Sequence, residues 1–249
     1  MPVYDNKTYT KIMRPLPNFV ERDIYNIPVM EPCKINISQM NNGLWLINMK
    51  NLSSKDKHPE SKIVHSFCYD DTLVREFNNP YRYLERTAKY LAASSFDFSM
   101  DSKMDFKQVL CATYDNRWTG AFLQSHGKPS MATVGWTTPE FYDITFAGLR
   151  DGGVFIISTL GTNNLLSYDE FIQGYHELRT RFPNSQLICV GDKLKGMDSD
   201  ICFVKYEESF GTFDAHCDYW QPGQADRWKR SHEEFDRRFK IVNGKVVEK

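Results

Sequence analysis

The chain has 249 residues, with 41% apolar and 25% charged side chains and a formal net charge of −1. Such a composition can bury a large core, and a nearly neutral chain is not expected to attract DNA, RNA or an anionic membrane by bulk electrostatics. No apolar run approaches the roughly 20 residues that span a bilayer, so no membrane association is expected.

The opening stretch, MPVYDNKTYTKIMRPLP, lacks the uninterrupted apolar segment of a secretory signal. A cytoplasmic, reducing setting follows. The six cysteines (Cys33, Cys68, Cys111, Cys189, Cys202 and Cys217) then read as free thiols, two of them as small hydrophobes inside strands.

Residues 1–60 read as an irregular extension packed on the core, because Pro2, Pro15, Pro17, Pro28 and Pro32 interrupt helices and central strands. Only GLWLINM (43–49) has the character of a strand. An α/β core is expected over 61–210. It opens with a strand at 62–69 and a helix at 79–92, for which Asn79 is a suitable N-cap and Pro80 suits the first helical position. A strand at 93–100 and a long helix at 104–127 ended by Gly127 come next. Then follow a strand at 130–136, a short helical segment at 138–149 and a strongly apolar strand at 153–161. The helix at 167–182 has Ser167 and Glu170 in capping-box spacing, and strands at 186–191 and 201–206 close the core. The tail, 211–249, is polar, with an amphipathic helix expected at 225–239.

Alternating strands and helices imply a mostly parallel sheet with right-handed crossovers. The reading favours a barrel-like α/β fold, an incomplete TIM-type barrel, with an open doubly wound sheet as the alternative. In both, ligands bind beyond the carboxyl ends of the strands. That rule selects Asp70 and Asp71 after the first core strand, and Asp97 and Ser99 on the second. It also selects Trp136 after the third, Thr159 and Gly161 after the fourth, and Gly191 and Asp192 after the fifth.

Carboxylates at three strand ends suit a divalent metal such as magnesium or manganese, with Asp71 and Asp97 as ligands. One carboxylate of a close pair also suits a general base, with Asp97, Asp71 and Asp192 as the catalytic candidates. Equally, Asp70 and Asp71 are ordinary turn-capping residues. Asp97 alternates with Phe96 and Phe98 and so faces away from both. Arg117 is a candidate partner for it or for a phosphate, with a structural salt bridge as the plainer role. Asn116, mid-helix, hints at a specific hydrogen bond. The loop LGTNN (160–164) is a weak phosphate signal, and an ordinary turn is the favoured reading of it. Trp136 suits stacking on a base or packing on a helix. DAHCDYW (214–220) is too isolated for a zinc site, and His65 reads as a core residue.

VHSFCYDD (64–71), NPYRYLERTAKYLAASSFDFSM (79–100), DNRWTGAFLQSHGKPSMATVGW (115–136), VFIISTLG (154–161), FIQGYHEL (171–178) and QLICVGD (186–192) together resemble a family common in bacteriophages, prophages and other mobile elements, known only as a domain of unknown function. The resemblance spans roughly residues 20–192 and includes Asp71, Asp97, Ser99, Asn116, Arg117, Trp136 and Gly191. It departs at Met104-Asp105, where the family favours Met-Pro. It implies a phage or mobile-element setting in a bacterial cytosol, without an activity.

Acidic strand ends in that setting lead to the expectation of a pocket for a small phosphate-bearing ligand, a nucleotide or a nucleic-acid end, with metal-dependent hydrolysis. The alternative is a non-catalytic accessory protein that binds a host or phage protein partner or sequesters a small molecule.

Overall fold

A computed structural model describes residues 16, 20–160, 162, 165–205, 239–242 and 245–248. Short β-branched or small-residue runs become seven strands: β1 (Trp45–Asn48), β2 (Lys62–His65), β3 (Ala92–Ser94), β4 (Ser130–Thr133), β5 (Val154–Ser158), β6 (Gln186–Val190) and β7 (Cys202–Val204). Their order in the sheet is their order in the chain, and every neighbouring pair is parallel. A doubly wound sheet reverses its strand order at a switch point, and this sheet never does. With right-handed crossovers, a sequential order puts every helix on one face and curls the other face inward. The protein is α/β and barrel-like, nearly closed.

The inner face shows the curl. Leu46, Ile63, Ala92, Met131, Ile156, Ile188 and Val204, one from each strand, belong to a single buried cluster. Among the described residues no ladder joins β1 to β7, but Asn41 Nδ2, just before β1, donates to Phe203 O of β7 at 3.4 Å. The N-terminal segment fills the opposite end: Ile37, Met40 and Leu44 join the inner cluster, and Val154 N donates to Cys33 O at 2.9 Å. The segment at 43–49 contributes the first sheet strand, so the sheet has one strand more than the six expected in the core.

Outward-facing residues Ile47, Val64, Ala93, Phe155, Ile157 and Leu187 pack in a second cluster with the helices. These are α1 (Asp70–Phe77), α2 (Pro80–Thr87), α3 (Phe106–Ser125), α4 (Tyr142–Thr145) and α5 (Leu165–Arg181). Asn79 and Pro80 start α2 as expected, although the Asn79 side chain makes no capping bond. Gly127 follows α3 at φ +76°, a left-handed conformation that suits a terminating glycine. Asp105 is the N-cap of α3, and its carboxylate and the Gln108 side chain form a reciprocal capping box. α5 begins at Leu165, so Ser167 lies inside the helix instead of capping it. The strand expected at 93–100 ends at Ser94, and Asp70 and Asp71 open a helix that the strand-end reading did not anticipate.

No helix among the described residues is long and apolar enough to cross a membrane. The described cysteines are free, and Cys189 and Cys202 lie in β6 and β7. The chain divides into two compact units, Met1–Gly211 and Thr212–Lys249. In the second, β8 (Phe239–Val242) and β9 (Lys245–Glu248) pair as an antiparallel hairpin. The helix expected at 225–239 otherwise lies outside the described residues, as do Cys217 and the DAHCDYW segment.

Candidate functional site at the strand ends

Polarity changes along the barrel axis. Two residues beyond the apolar inner layer, each of the first five strands ends on a polar side chain: Asn48, His65, Ser94, Thr133 and Ser158. Period-two alternation puts these on the inner face. The first four are buried, and their bonds go to the strand-end loops. Asn48 Nδ2 donates to Phe67 O at 2.8 Å, His65 Nδ1 accepts from Phe67 N at 3.3 Å, and Thr133 Oγ1 donates to Ser95 O at 2.7 Å. They hold the loops from beneath. His65 is the core histidine expected from its place in a strand.

Above this layer, beyond β3, β4 and β5 and against the start of α5, is an open cleft of about 430 Å³. Its walls include Asp97, Ser99, Asp101, Trp136, Thr137 and Glu170. Asp97 sits three residues past the end of β3, half-buried, and no hydrogen bond or ion pair to it is present among the described residues. Burial and then the nearby Asp70 carboxylate push its carboxyl up to about 7. Asp70 is tied down: its Oδ1 accepts from Ser99 N at 3.2 Å and Ser99 Oγ at 3.0 Å.

Other residues chosen from the sequence brace this cleft. Asn116 grips the backbone of Phe98, the residue after Asp97, accepting from its N–H at 2.7 Å and donating to its carbonyl at 3.4 Å. Arg117 is fully buried, is not on the cleft wall and makes no bond to Asp97. Its guanidinium donates to Thr133 O at 2.9 Å, Thr145 O at 2.8 Å and Ala147 O at 3.0 Å. Burial works against its charge, and the three carbonyls compensate. Consecutive residues of α3 thus fix the β3 loop and the end of β4.

Trp136 lies over α5, its ring centroid 4.9 Å from that of Phe171, and a Cβ at Gly174 would overlap it. It lines the cleft and packs on a helix at once. Thr159 turns away, donating from Oγ1 to Asp192 O at 2.9 Å. A Cβ at Gly191 would collide with that hydroxyl, and its φ of +117° is itself a glycine conformation. Asp71 and Asp192 are exposed and lie off the cleft wall. Gly161 lies outside the described residues. Of the residues chosen from the sequence, the fold therefore gathers Asp97, Ser99 and Trp136 on one wall with Asp70 behind them. Asp101 and Thr137 stand at the ends of the second and third core strands read from the sequence but are not among the site residues chosen there, and Glu170 is read only as part of a helix cap. Glu170 belongs to a helix that starts earlier than its capping pattern suggests, and Asp101 lies one residue beyond the strand read at 93–100. Among the described residues no three His, Cys, Asp or Glu side chains gather as a metal-ligand set.

Curated relatives come from phages. The chain is 30% identical over 143 residues to the "Gene 1 protein" of Mycobacterium phage L5, covering 57% of this chain and 62% of that protein. It is 30% identical over 129 residues to the "Gene 1 protein" of Mycobacterium phage D29, covering 51% of this chain and 48% of that protein. It thus spans roughly half to three-fifths of these relatives. No solved structure matches. The family described as a domain of unknown function, DUF4417, matches residues 20–207, which take in all seven strands and the whole cleft. On that match the chain belongs to the DUF4417 family.

Proposed function

We propose that this chain, in a phage or mobile-element setting, binds a small polar ligand in the strand-end cleft and moves a proton to or from it through Asp97. The observation that carries this reading is Asp97 itself. It is a carboxyl on a cleft wall without a hydrogen-bond partner among the described residues, held near 7 by burial and by Asp70. A group poised near neutrality is suited to acting as both acid and base. The polar inner layer and the braces from Asn116 and Arg117 support the reading, because a site needs fixed walls.

Metal-dependent hydrolysis of a phosphate-bearing ligand asks for more. The described cleft walls offer carboxylates and hydroxyls but no Lys, Arg or His. A phosphate entering there needs a cation brought with it.

The test is the carboxyl carbon resonance of Asp97 followed against pH, paired with NMR detection of small-molecule conversion by wild type and Asp97→Asn. The expected midpoint is about 7, with conversion abolished in a variant that stays folded. A midpoint near the ordinary value of about 4, with small molecules stabilising both proteins equally, overturns the reading.

The accessory-protein alternative has one observation of its own. Tyr69, Phe106 and Leu160, which follow β2, β3 and β5, are large apolar residues left exposed. A protein partner seated there would be captured from phage-infected cells by wild type and by Asp97→Asn alike, and lost with Tyr69→Ser plus Leu160→Ser.

A further inference from the structure

We infer that the cleft takes an organic cation, a small molecule carrying a primary ammonium or guanidinium group. This deepens the reading of Asp97 as the working group and rests on it.

The charge inventory is one-sided. Asp97, Asp101 and Glu170 reach the wall from the β3 loop and from α5, and no basic side chain lies among the described wall residues. Carboxylates alone would be an ordinary solvated surface. A second observation points to a ligand: Thr137 lines the same cleft, is only 4% exposed, and its Oγ1 has no hydrogen-bond partner among the described residues. Buried hydroxyls are nearly always satisfied, and a hydroxyl, which both donates and accepts, can take a bond from an ammonium N–H.

The remaining wall separates an organic cation from a bare metal ion. Trp136 and Phe171 stand side by side on the cleft, and aromatic faces attract ammonium and guanidinium groups. A volume of about 430 Å³ accommodates a small organic molecule, far more than one ion requires. Among the described residues no three-ligand metal set is present.

Protonation follows from this. A cation favours the ionised carboxylate, so binding should release a proton wherever Asp97 is partly protonated when free. Of the groups around Asp97, Asp70 on α1 raises it, Asp101 and Glu170 share the cleft, and Cys68 before α1 feels both the Asp97 carboxylate and the Lys50 ammonium.

Isothermal titration calorimetry near pH 8 with 1,4-diaminobutane and butylguanidinium, against 1,4-butanediol, magnesium chloride and inorganic phosphate, is the test. The expected result is one saturable site for the two cations, weakened at least about tenfold in Asp97→Asn and in Glu170→Gln. Near pH 6 the cations should bind more weakly, with heats that depend on the buffer because a proton is released. Equal binding of 1,4-butanediol overturns the cation class, as does binding of phosphate alone. Magnesium bound in preference to the amines assigns the cleft to an inorganic ion instead, and neither cation binding by about 10 mM ends the proposal. The Asp97 titration separates the two readings. A midpoint near 7 with no cation bound removes only the ligand class, and a midpoint near 4 removes the proton-transfer reading even if a cation binds.

Discussion

Arg117 presents a guanidinium to three backbone carbonyls in a site with no access to water. Arg117→Met keeps much of the shape but strips donors from buried acceptors, each of which costs about 1–3 kcal/mol when left unmade. A loss of roughly 3 kcal/mol or more is expected in urea unfolding, and Arg117→Lys should rescue little, because an ammonium cannot span the fork. The sequence shows that an arginine follows an acidic strand end, and from that a carboxylate partner is a fair reading. It cannot show which way the side chain leaves α3, and here it turns toward the carbonyls at 133, 145 and 147. A second buried charge is paired. Lys62 Nζ lies 2.7 Å from Asp56 Oδ1, with side chains only 3% and 2% exposed. Burial acts to raise the Asp56 carboxyl, but the Lys62 hydrogen bond and charge and the His58 amide outweigh it and hold it below the ordinary range. That stability is present above about pH 4 and is lost as the pH falls through the depressed folded value. Lys62→Met should cost about 3–5 kcal/mol near neutrality, and its deficit should shrink on acidification, when Asp56 takes a proton. Parallel denaturation of the two proteins across acid pH measures both.

At the scale of elements, local chemistry decides ends better than it decides middles. Asp105 stands where the family resemblance leads one to expect proline, and it supplies both halves of its side of a capping box on α3. Its φ of −78° would admit proline, so Asp105→Pro should fold, yet lose both cap bonds and about 1 kcal/mol of stability. Gly174 makes the opposite case. Alanine would gain up to about 1 kcal/mol of helix propensity, but a Cβ there overlaps the rigid Trp136 ring, and overpacking costs about 1–3 kcal/mol. The clash should win, lowering the melting temperature and shifting Trp136 fluorescence. The starts of α2 and the end of α3 were legible because Asn79-Pro80 and Gly127 carry backbone requirements of their own. α1 was not, since Asp70-Asp71 reads equally well as a strand end and as the acidic first turn of a helix. The pairing of β8 with β9 has a signal in the sequence, Asn243-Gly244 between alternating apolar residues, overshadowed by the helical charge pattern before it.

For the molecule as a whole, the strand-end rule points to the end of the barrel where the cleft beyond β3, β4 and β5 lies, and leaves the residues of its wall to the fold. Asp97 reaches the wall, whereas Asp71 and Asp192, aspartates that also follow strands, face solvent. What separates them is register and loop direction, which one sequence does not encode visibly. The polar residues ending β1 to β5 were a readable signal for the same end of the barrel, since β6 and β7 end on valine. They show a fold that carries polarity through its core toward one mouth, and such a site should cost stability. Asp97 allows that cost to be measured. Its folded carboxyl lies at about 7, above the unfolded value of about 4, so the unfolded chain gives up this proton first as pH rises. Below about pH 4 both states are protonated and no penalty exists. Between about pH 4 and 7 the wild type loses stability, and above that range the penalty is constant. Asp97→Asn has no proton to lose, so it should match wild type in acid and exceed it by about 1–4 kcal/mol near pH 8. Urea unfolding at a series of pH values gives the difference directly. A variant less stable than wild type near pH 8 would mean that the Asp97 carboxylate already has a stabilising partner in the fold, and a carboxylate engaged in that way is not waiting for a ligand.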